Sequence, residues 1–372
     1  MATTRPYTAL LALTFGILAA AATWKMRIQP ATEKLAAGLG EGVWERQAHV
    51  NGAPLRMVYT GFPPADSILA FLVAAFMPGI AGWDERFLIQ QTYFLPQFFS
   101  VISVLAVEAH RRRNDRRILG FTNAFALIYQ MIGGAIIVPL WFILYVLASS
   151  RSDYHLPSNR QVRPSEARAL LPALVVGYVV PTVLMYYPWQ DRTDIPRLEV
   201  LNAIWQVSPL VPNLLVRLFA SRDDTAPSVE QRKSAHKYVL SVHVVSGLFC
   251  AASHAWFVYS VLTSMNPNVS FASVLIPGGV SDAKADDASG LLWIFQWDLW
   301  GIFVSGLLWS FVGGVDVLRV EGAALSAGRV LKWTFWIGAL SFIAGPGAAI
   351  SAAWYWIESS MFGLEERKRG KQ

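Results

Sequence analysis

Long apolar runs separated by short polar segments dominate the pattern of this chain. The runs cover residues 7–23, 67–82, 92–107, 118–148, 169–187, 198–220, 237–262, 291–314 and 333–357. Runs of this length can cross the roughly 30 Å hydrocarbon core of a bilayer as helices. The pattern therefore predicts an all-α protein, a polytopic transmembrane helical bundle with about eight or nine spans.

The polar segments predict the boundaries of four regions. Residues 1–24 form a first transmembrane anchor or a signal-like segment, because the Ala-rich end of this run also suits a cleavable signal peptide. Residues 25–66 mix charge, Gly and Pro, which predicts an extramembrane segment. Residues 67–357 form the helical membrane domain, and residues 358–372 form a charged tail.

Composition supports this class of protein. Hydrophobic residues make up 54% of the chain and charged residues 15%, against about 25% charged in soluble domains. The net charge of +6 comes from Arg and Lys clusters between the apolar runs. Such clusters are typical of orientation signals and of contacts with anionic lipid headgroups. The charge therefore does not imply a nucleic-acid partner. The single cysteine, Cys250, allows no disulfide and no cysteine metal site within one chain.

Five arginines within residues 111–117 are the strongest topological signal, and the positive-inside rule places them in the cytosol. The run that follows, 118–148, is longer than one span requires. Gly133 and Gly134 are placed within it to kink or break a helix.

The loop 263–290 conflicts with the simplest orientation. If the run 118–148 crosses once, four spans separate the arginines from this loop, which would then be cytosolic. Yet the loop contains the sequon Asn268-Val269-Ser270 and almost no positive charge, and both features favour the lumen. Either the sequon is unused, or the long run crosses twice or re-enters.

One acid lies inside an apolar run. Asp298 stands among Trp293, Trp297, Trp300 and Trp309 in the run 291–314. Because an ionisable group in hydrocarbon costs a few kcal/mol, it is usually retained for a function. The alternative is that Asp298, only about 10 Å along a helix from Leu291, lies at the headgroup level within an interfacial belt of tryptophans.

Other polar residues recur at helical spacing inside the runs. His243 and His254 share a helix face, but without a third ligand a packing role is favoured over zinc. Asn202 and Gln206 form a polar stripe that would either face a cavity or join two helices, and joining is the commoner outcome. Glu108 precedes the arginines, which favours a surface ion pair over catalysis.

The sequence signatures of soluble nucleotide enzymes are missing. The chain has no G-x-x-x-x-G-K-[ST], G-x-G-x-x-G, H-E-x-x-H or G-x-S-x-G motif, so ATP-driven transport and nicotinamide chemistry are unsupported. Isolated carboxylates and many aromatic rings remain. They suit chemistry that needs a proton and a cation-stabilising wall, because each aromatic face attracts positive charge by about 0.5–2 kcal/mol.

Several segments, in order and spacing, resemble the integral-membrane terpene cyclases of fungal meroterpenoid pathways of the ascofuranone, ascochlorin and macrophorin kind. The resemblance covers roughly residues 58–313. The segments are YTGFPPADSILAFLVAAFMPG, VEAHRRRN, YQMIGGAIIVPLWFILYVL, IWQVSPLVPNLL and FQWD.

The resemblance implies a multi-pass enzyme of the endoplasmic reticulum membrane. Such an enzyme folds a farnesyl chain attached to an aromatic or polyketide head, and it starts cyclisation by protonating a terminal epoxide or olefin. This is acid-initiated, class II-like chemistry of the isomerase or lyase kind, without metal or other cofactor and without loss of diphosphate. The implied partners are the prenylated aromatic substrate, membrane lipid and other enzymes of the pathway.

The resemblance also assigns residues. The aspartate of FQWD is Asp298, and Glu108 matches the acid before the arginines. In the family pattern an acid closely follows the proline of the second span, whereas here Pro78-Gly79-Ile80-Ala81 is followed by Asp84 only three residues later. Asp84 is the third catalytic candidate, at a position where the chain departs from the pattern.

Aromatic and polar side chains are the candidates for binding substrate. Trp297 and Trp300 flank Asp298 and would wall a pocket that excludes water, which a carbocation requires. A buried carboxyl group also holds its proton more firmly than one in water, as proton donation near neutral pH demands. Further candidates for the wall, for orienting the acid or for binding a phenol are Trp141, Tyr129, Gln130, Asn202, Trp205, Gln206, His243 and His254.

Two other functions fit the same sequence. A membrane transporter or lipid-binding protein of a secondary-metabolite pathway would change the location of a ligand and leave its structure intact. A double-bond isomerase would use the same acid and differ only in its product. The chain lacks the charged pairs and repeat symmetry of an ion-coupled carrier, which favours the cyclase.

Overall fold

The computed structural model describes residues 4–45, 49–50, 52–186, 191–221, 227–322 and 326–369. Parts of the predicted regions, at 1–3, 46–48, 51, 187–190, 222–226, 323–325 and 370–372, lie outside the described residues. The helices in chain order are α1 (Thr8–Glu33), α2 (Ala37–Trp44), α3 (Pro63–Ile80), α4 (Glu85–Ala109), α5 (Thr122–Ile132), α6 (Gly134–Ala148), α7 (Pro157–Arg160), α8 (Pro164–Tyr186), α9 (Ile195–Val207), α10 (Val211–Phe219), α11 (Val229–Thr263), α12 (Phe271–Leu275), α13 (Val280–Ala283), α14 (Asp287–Glu321), α15 (Ala327–Ala344) and α16 (Pro346–Arg369).

The predicted all-α class is confirmed. Two short strands, β1 (His49–Val50) and β2 (Ala53–Pro54), pair antiparallel, and the large elements of the described chain are helices. A π-helical turn, Trp24–Ile28, lies within α1, and a second, Val175–Val179, lies within α8.

Among the residues that the structure describes, six helices are long and apolar enough to cross a membrane, namely α1, α3, α4, α8, α11 and α14. The apolar helix α6 has 15 residues, about 22 Å of rise, which is shorter than the roughly 30 Å hydrocarbon core. These helices are those of a multi-pass membrane protein. The finer number of eight or nine spans stays a prediction.

Helix α4 occupies the centre of the bundle. In an 18-residue apolar stretch of this helix, 94% of the residues are buried. Burial on every side is expected of a helix that is largely apolar all round. Two of its polar side chains bond to neighbouring helices: Gln97 donates to the carbonyl of Cys250 at 2.6 Å, and Gln90 donates to the carbonyl of Phe295 at 3.1 Å. These bonds give a partner to side-chain N–H groups that would otherwise be costly inside the bundle.

Three of the predicted runs are broken helices. The predicted break in 118–148 is confirmed at Gly133, whose φ of +103° only glycine adopts without strain, and it separates α5 from α6. The run 198–220 is divided by a 3₁₀ turn, Ser208–Leu210. The run 333–357 is divided at Gly345, where φ is +92°.

Two predicted region boundaries fall within continuous helices. Helix α1 passes residue 24 and ends at Glu33, so its last turns belong to the segment predicted as extramembrane. Helix α16 passes residue 357 and ends at Arg369. The division of the chain into four regions otherwise stays a prediction.

A buried ion-pair cluster lies where α4 ends. Glu108 accepts from Arg111 and Arg113, each at 2.6 Å, while Glu358 of α16 pairs with Arg111 and with Arg160, the latter at 2.6 Å. All five side chains are buried. We call this end of the bundle the arginine-rich end.

Helices α5 and α6 form a hairpin whose two ends both meet the arginine-rich end. Before α5, Gly120 packs so closely on the carbonyl of Asn114 that a Cβ would lie 2.6 Å from its oxygen. After α6, the carbonyl of Tyr154 accepts from Arg113 at 2.9 Å. The apex of the hairpin, at Gly133, therefore points into the bundle.

Candidate active site

Asp298 lies within α14, about 17 Å along the helix from its first residue. Its Oδ1 accepts from the backbone N–H of Ala135 at 2.6 Å, at the first turn of α6. The two helices approach closely because of Gly301, where a Cβ would lie only 2.4 Å from the Cβ of Ala135. The acid is partly buried and is held where the hairpin reaches its apex.

Asp298 faces a cavity of about 110 Å³ between the helices, which we call the inner cavity. The non-aromatic lining side chains with charged or amide groups are Asp298, Arg27 and Gln130. The other described lining side chains are aliphatic or aromatic. Its seven aromatic rings belong to Phe71, Phe76, Phe94, Phe98, Tyr129, Trp205 and Phe295.

Two charged side chains bracket the hairpin apex. Arg27 donates from Nε to the carbonyl of Ile132 at 3.1 Å and from Nη2 to that of Met131 at 3.4 Å, at the end of α5. Asp298 accepts from the N–H of Ala135 at the start of α6. A cation at a helix C-terminus and an acid at an N-terminus both interact favourably with the helix dipoles. The apex is thus held from both sides beside the cavity.

A hydrogen-bonded chain of amides supports the cavity wall at Gln130. Its Nε2 donates to the backbone carbonyl and the Oε1 of Gln206 at 3.0 and 3.1 Å. Gln206 donates to Asn202 at 2.8 Å, which in turn donates to the carbonyl of Val73 at 2.9 Å. Of the predicted polar residues, Gln130 lines the inner cavity, while Gln206 and Asn202 stand behind it.

Comparison with known proteins identifies the family. The CtvD domain family matches residues 8–362, nearly the whole chain. The chain belongs to the CtvD domain family. No solved structure matches it.

Relatives of this CtvD-domain protein include named terpene cyclases of fungi. The terpene cyclase ctvD of Aspergillus terreus is 28% identical over 86% of this chain and 89% of its own length. The terpene cyclase ascI of Acremonium egyptiacum is 25% identical over 80% of this chain and 78% of its own. The FAD-dependent monooxygenase verC1 of Penicillium polonicum is 26% identical over 70% of this chain but only 31% of its own length. The resemblance to fungal terpene cyclases is confirmed.

The predicted aromatic residues of the CtvD-domain protein lie in four different environments. Tyr129 and Trp205 line the inner cavity. Trp300 is 43% exposed and donates to the carbonyl of Leu275 at 2.8 Å. Trp297 lies under the ammonium group of Lys25, 5.0 Å from its ring centre. Trp141 packs in a separate aromatic cluster with Phe142, Tyr145 and Trp309.

The two predicted histidines lie on α11, on the far side of α4 from the inner cavity. Helix α4 presents Phe94 and Phe98 to the cavity, whereas its Tyr93 faces α11, where its hydroxyl lies 3.4 Å from Nδ1 of His254. His243 is buried on the same helix. Within the described ranges, no three His, Cys, Asp or Glu side chains group as a metal site requires.

The three predicted acids of the CtvD-domain protein do not meet. Asp84 and Glu108 lie at opposite ends of α4, about 36 Å apart. Asp84 caps that helix by accepting from the backbone N–H of Arg86 at 2.8 Å, and it also pairs with the Arg86 side chain. The surface position predicted for Glu108 is wrong, because the arginine cluster encloses it. Of the three, Asp298 alone faces the inner cavity.

Arg27 is not among the residues predicted from the sequence, because the first span was predicted to end at residue 24. A signal was present. Apolar residues continue across that boundary at spacings of three and four, in Phe15, Ala19, Ala22 and Met26, and all four are buried. This helical stripe carries Met26 and Arg27 to the inner cavity.

Proposed function

We propose that this protein is a membrane-bound terpene cyclase acting on a farnesylated aromatic or polyketide intermediate. The single observation that carries the proposal is the inner cavity, where one acid, Asp298, faces a wall of seven aromatic rings. Its relatives named as terpene cyclases match most of the chain and support the same reaction class.

In the proposed mechanism, Asp298 donates a proton to the terminal epoxide oxygen or olefin of the farnesyl chain. A carboxylic acid can accept a hydrogen bond at Oδ1, as Asp298 does from Ala135, while it carries its proton on Oδ2. The epoxide C–O bond breaks as the oxygen is protonated. An internal double bond then supplies the electron pair for the new C–C bond, and loss of a proton ends the reaction. Neither metal nor departure of diphosphate is needed.

The wall of the inner cavity would protect and direct the cation. Aromatic faces stabilise positive charge by about 0.5–2 kcal/mol each, more where water is excluded. Phe94 and Phe98 of α4 and Phe295 of α14 line this space. Arg27 would orient the acid through its charge and hold the apex of the hairpin.

One relative favours the epoxide as the starting group. This chain matches part of a protein named an FAD-dependent monooxygenase, and a monooxygenase can supply an epoxide from an olefin. We also propose the endoplasmic reticulum as the membrane and other enzymes of the same pathway as partners, on the resemblance described above. The apolar helices support a membrane location.

The experiment is conversion of substrate by microsomes from a host expressing the chain. A farnesylated phenol with a terminal epoxide should give a cyclic isomer of identical mass but altered retention and fragmentation, whereas microsomes without the chain should give none. A transporter or lipid-binding protein would move or bind the compound without changing it. A double-bond isomerase would return an acyclic product.

A further inference from the structure

A second space, which we call the outer groove, adjoins the inner cavity between α2, α3 and α5. Its volume is about 540 Å³. Gly40 and Val43 of α2 line it, together with Ser67 and Ile68 of α3. Ile68 is 42% exposed, so the groove opens at the surface of the bundle.

The two spaces share part of their wall. Phe71 and Leu72 of α3 and Met131 of α5 line both the outer groove and the inner cavity. Phe71 and Met131 are themselves about two-fifths exposed. A ligand in the inner cavity therefore has one described neighbouring space into which it can extend by passing these three side chains.

Volume makes that extension necessary under the proposed function. Pockets that enclose a drug-sized ligand measure roughly 300–1,000 Å³, and the inner cavity, at about 110 Å³, is smaller. The reacting end of the substrate must lie against Asp298. The part of the molecule that does not react must then lie elsewhere.

We propose that the outer groove receives the aromatic head of the substrate while the terminal end of its prenyl chain reaches Asp298. This inference rests on the proposed function. The groove suits such a head because its lining is apolar apart from the Ser67 hydroxyl, which already donates to the carbonyl of Pro63 at 3.0 Å. Phe71 offers a ring for aromatic contact. The substrate thus enters chain first, and the groove limits the size of the head.

Gly40 provides a way to fill the outer groove without disturbing the fold. A Cβ built at Gly40 meets no heavy atom within 4 Å. The same holds for Gly338 in α15, which lines neither the outer groove nor the inner cavity. Both are interior helix positions, where replacing glycine favours the helix. Gly40→Phe therefore places a ring in the groove, and Gly338→Phe is the matched control.

The test compares two epoxides. For a farnesylated phenol with a terminal epoxide, Gly40→Phe should lower kcat/KM about tenfold or more, mainly through KM. For farnesol carrying the same terminal epoxide, which has no aromatic head, turnover should match wild type. Gly338→Phe should match wild type with both compounds. If Gly40→Phe shows the wild-type kcat/KM for both compounds, the proposal is overturned.

A binding arm keeps this test separate from the proposed function. A farnesylated benzophenone, activated by light, should label Ile68, which lines the outer groove but not the inner cavity, in the wild-type chain and lose that labelling in Gly40→Phe. Labelling elsewhere, or labelling that Gly40→Phe leaves unchanged, would overturn the groove even if the wild type is an active cyclase. Groove labelling without turnover of either epoxide would instead reject the cyclase reaction and retain the binding site.

Discussion

At Asp298, one side chain serves both the fold and the proposed chemistry. It caps the first turn of α6 by accepting from Ala135, and it faces a cavity walled by aromatic rings. The isolated acid in an apolar run pointed to this residue from the sequence alone, because such a group is retained only where it has a partner or a function. Its cap partner could not be read from the sequence, since the two residues are 163 positions apart.

The other two acids are predicted to be structural. Glu108→Gln would leave Arg111 and Arg113 buried without their shared carboxylate, and breaking a buried pair costs about 3–5 kcal/mol. We expect a large loss of folded, monodisperse protein in size-exclusion chromatography and a lower Tm. A normal yield and Tm with abolished turnover would instead make Glu108 catalytic.

Asp84→Asn is the matched control for this prediction. Asparagine is as good a helix N-cap as aspartate, and the lost pair with the partly exposed Arg86 is worth at most about 1 kcal/mol. Yield and turnover should both remain close to wild type.

The α5–α6 hairpin determines the geometry of the site at the scale of elements. Gly133 and Gly134 predicted a break in the run, and the break is there. Helix α5 starts at the arginine-rich end and α6 returns to it, and this return depends on tertiary contacts, such as that of Arg113 with the carbonyl of Tyr154. Apolar periodicity cannot distinguish a hairpin from a kinked span, because both place apolar residues at the same helical spacing.

Gly133→Ala tests the hairpin apex. With φ at +103°, alanine is strained by about 1–3 kcal/mol, and its Cβ would lie 2.5 Å from the Cε of Met26. We expect a lower Tm in a fluorescence melt and reduced turnover, because the N–H of Ala135 would shift away from Asp298. Gly338→Ala, at an open helical position, should keep wild-type turnover and Tm or gain slightly in stability. Equal behaviour of the two variants would contradict a strained apex.

For the whole molecule, the hairpin favours the re-entrant explanation of the conflict over the sequon loop. When α5 and α6 return to the arginine-rich end, the three runs that follow place the loop 263–290 at the opposite end. A contact supports this placement of the loop. Ser264 donates to Glu85 at 2.8 Å, and Glu85 lies at the start of α4, the end of that helix away from the arginine-rich end. Counting spans in the sequence could not give this answer, because one re-entrant run changes the side of every later loop.

Cysteine labelling tests this sidedness. Cys250 is the single native cysteine and is fully buried, so an introduced cysteine reports alone. Arg117→Cys and Arg151→Cys, both at exposed residues, should react with a membrane-impermeant maleimide from the cytosolic side of sealed microsomes. Met265→Cys, at a residue that is 99% exposed, should react only after permeabilisation. Reaction of the two arginine positions from opposite sides would show that residues 118–148 cross the membrane.

The most direct measurement is turnover of the farnesylated phenol epoxide by purified Asp298→Asn, normalised to folded protein. Asparagine still accepts from the N–H of Ala135, so yield and Tm should stay near wild type, but its amide cannot replace a carboxylic acid as proton donor. General acid catalysis contributes about 100-fold to 10,000-fold, so formation of the cyclic product should fall at least about 100-fold. Cyclic product at the wild-type rate from this variant would contradict the assignment of Asp298 as the proton donor.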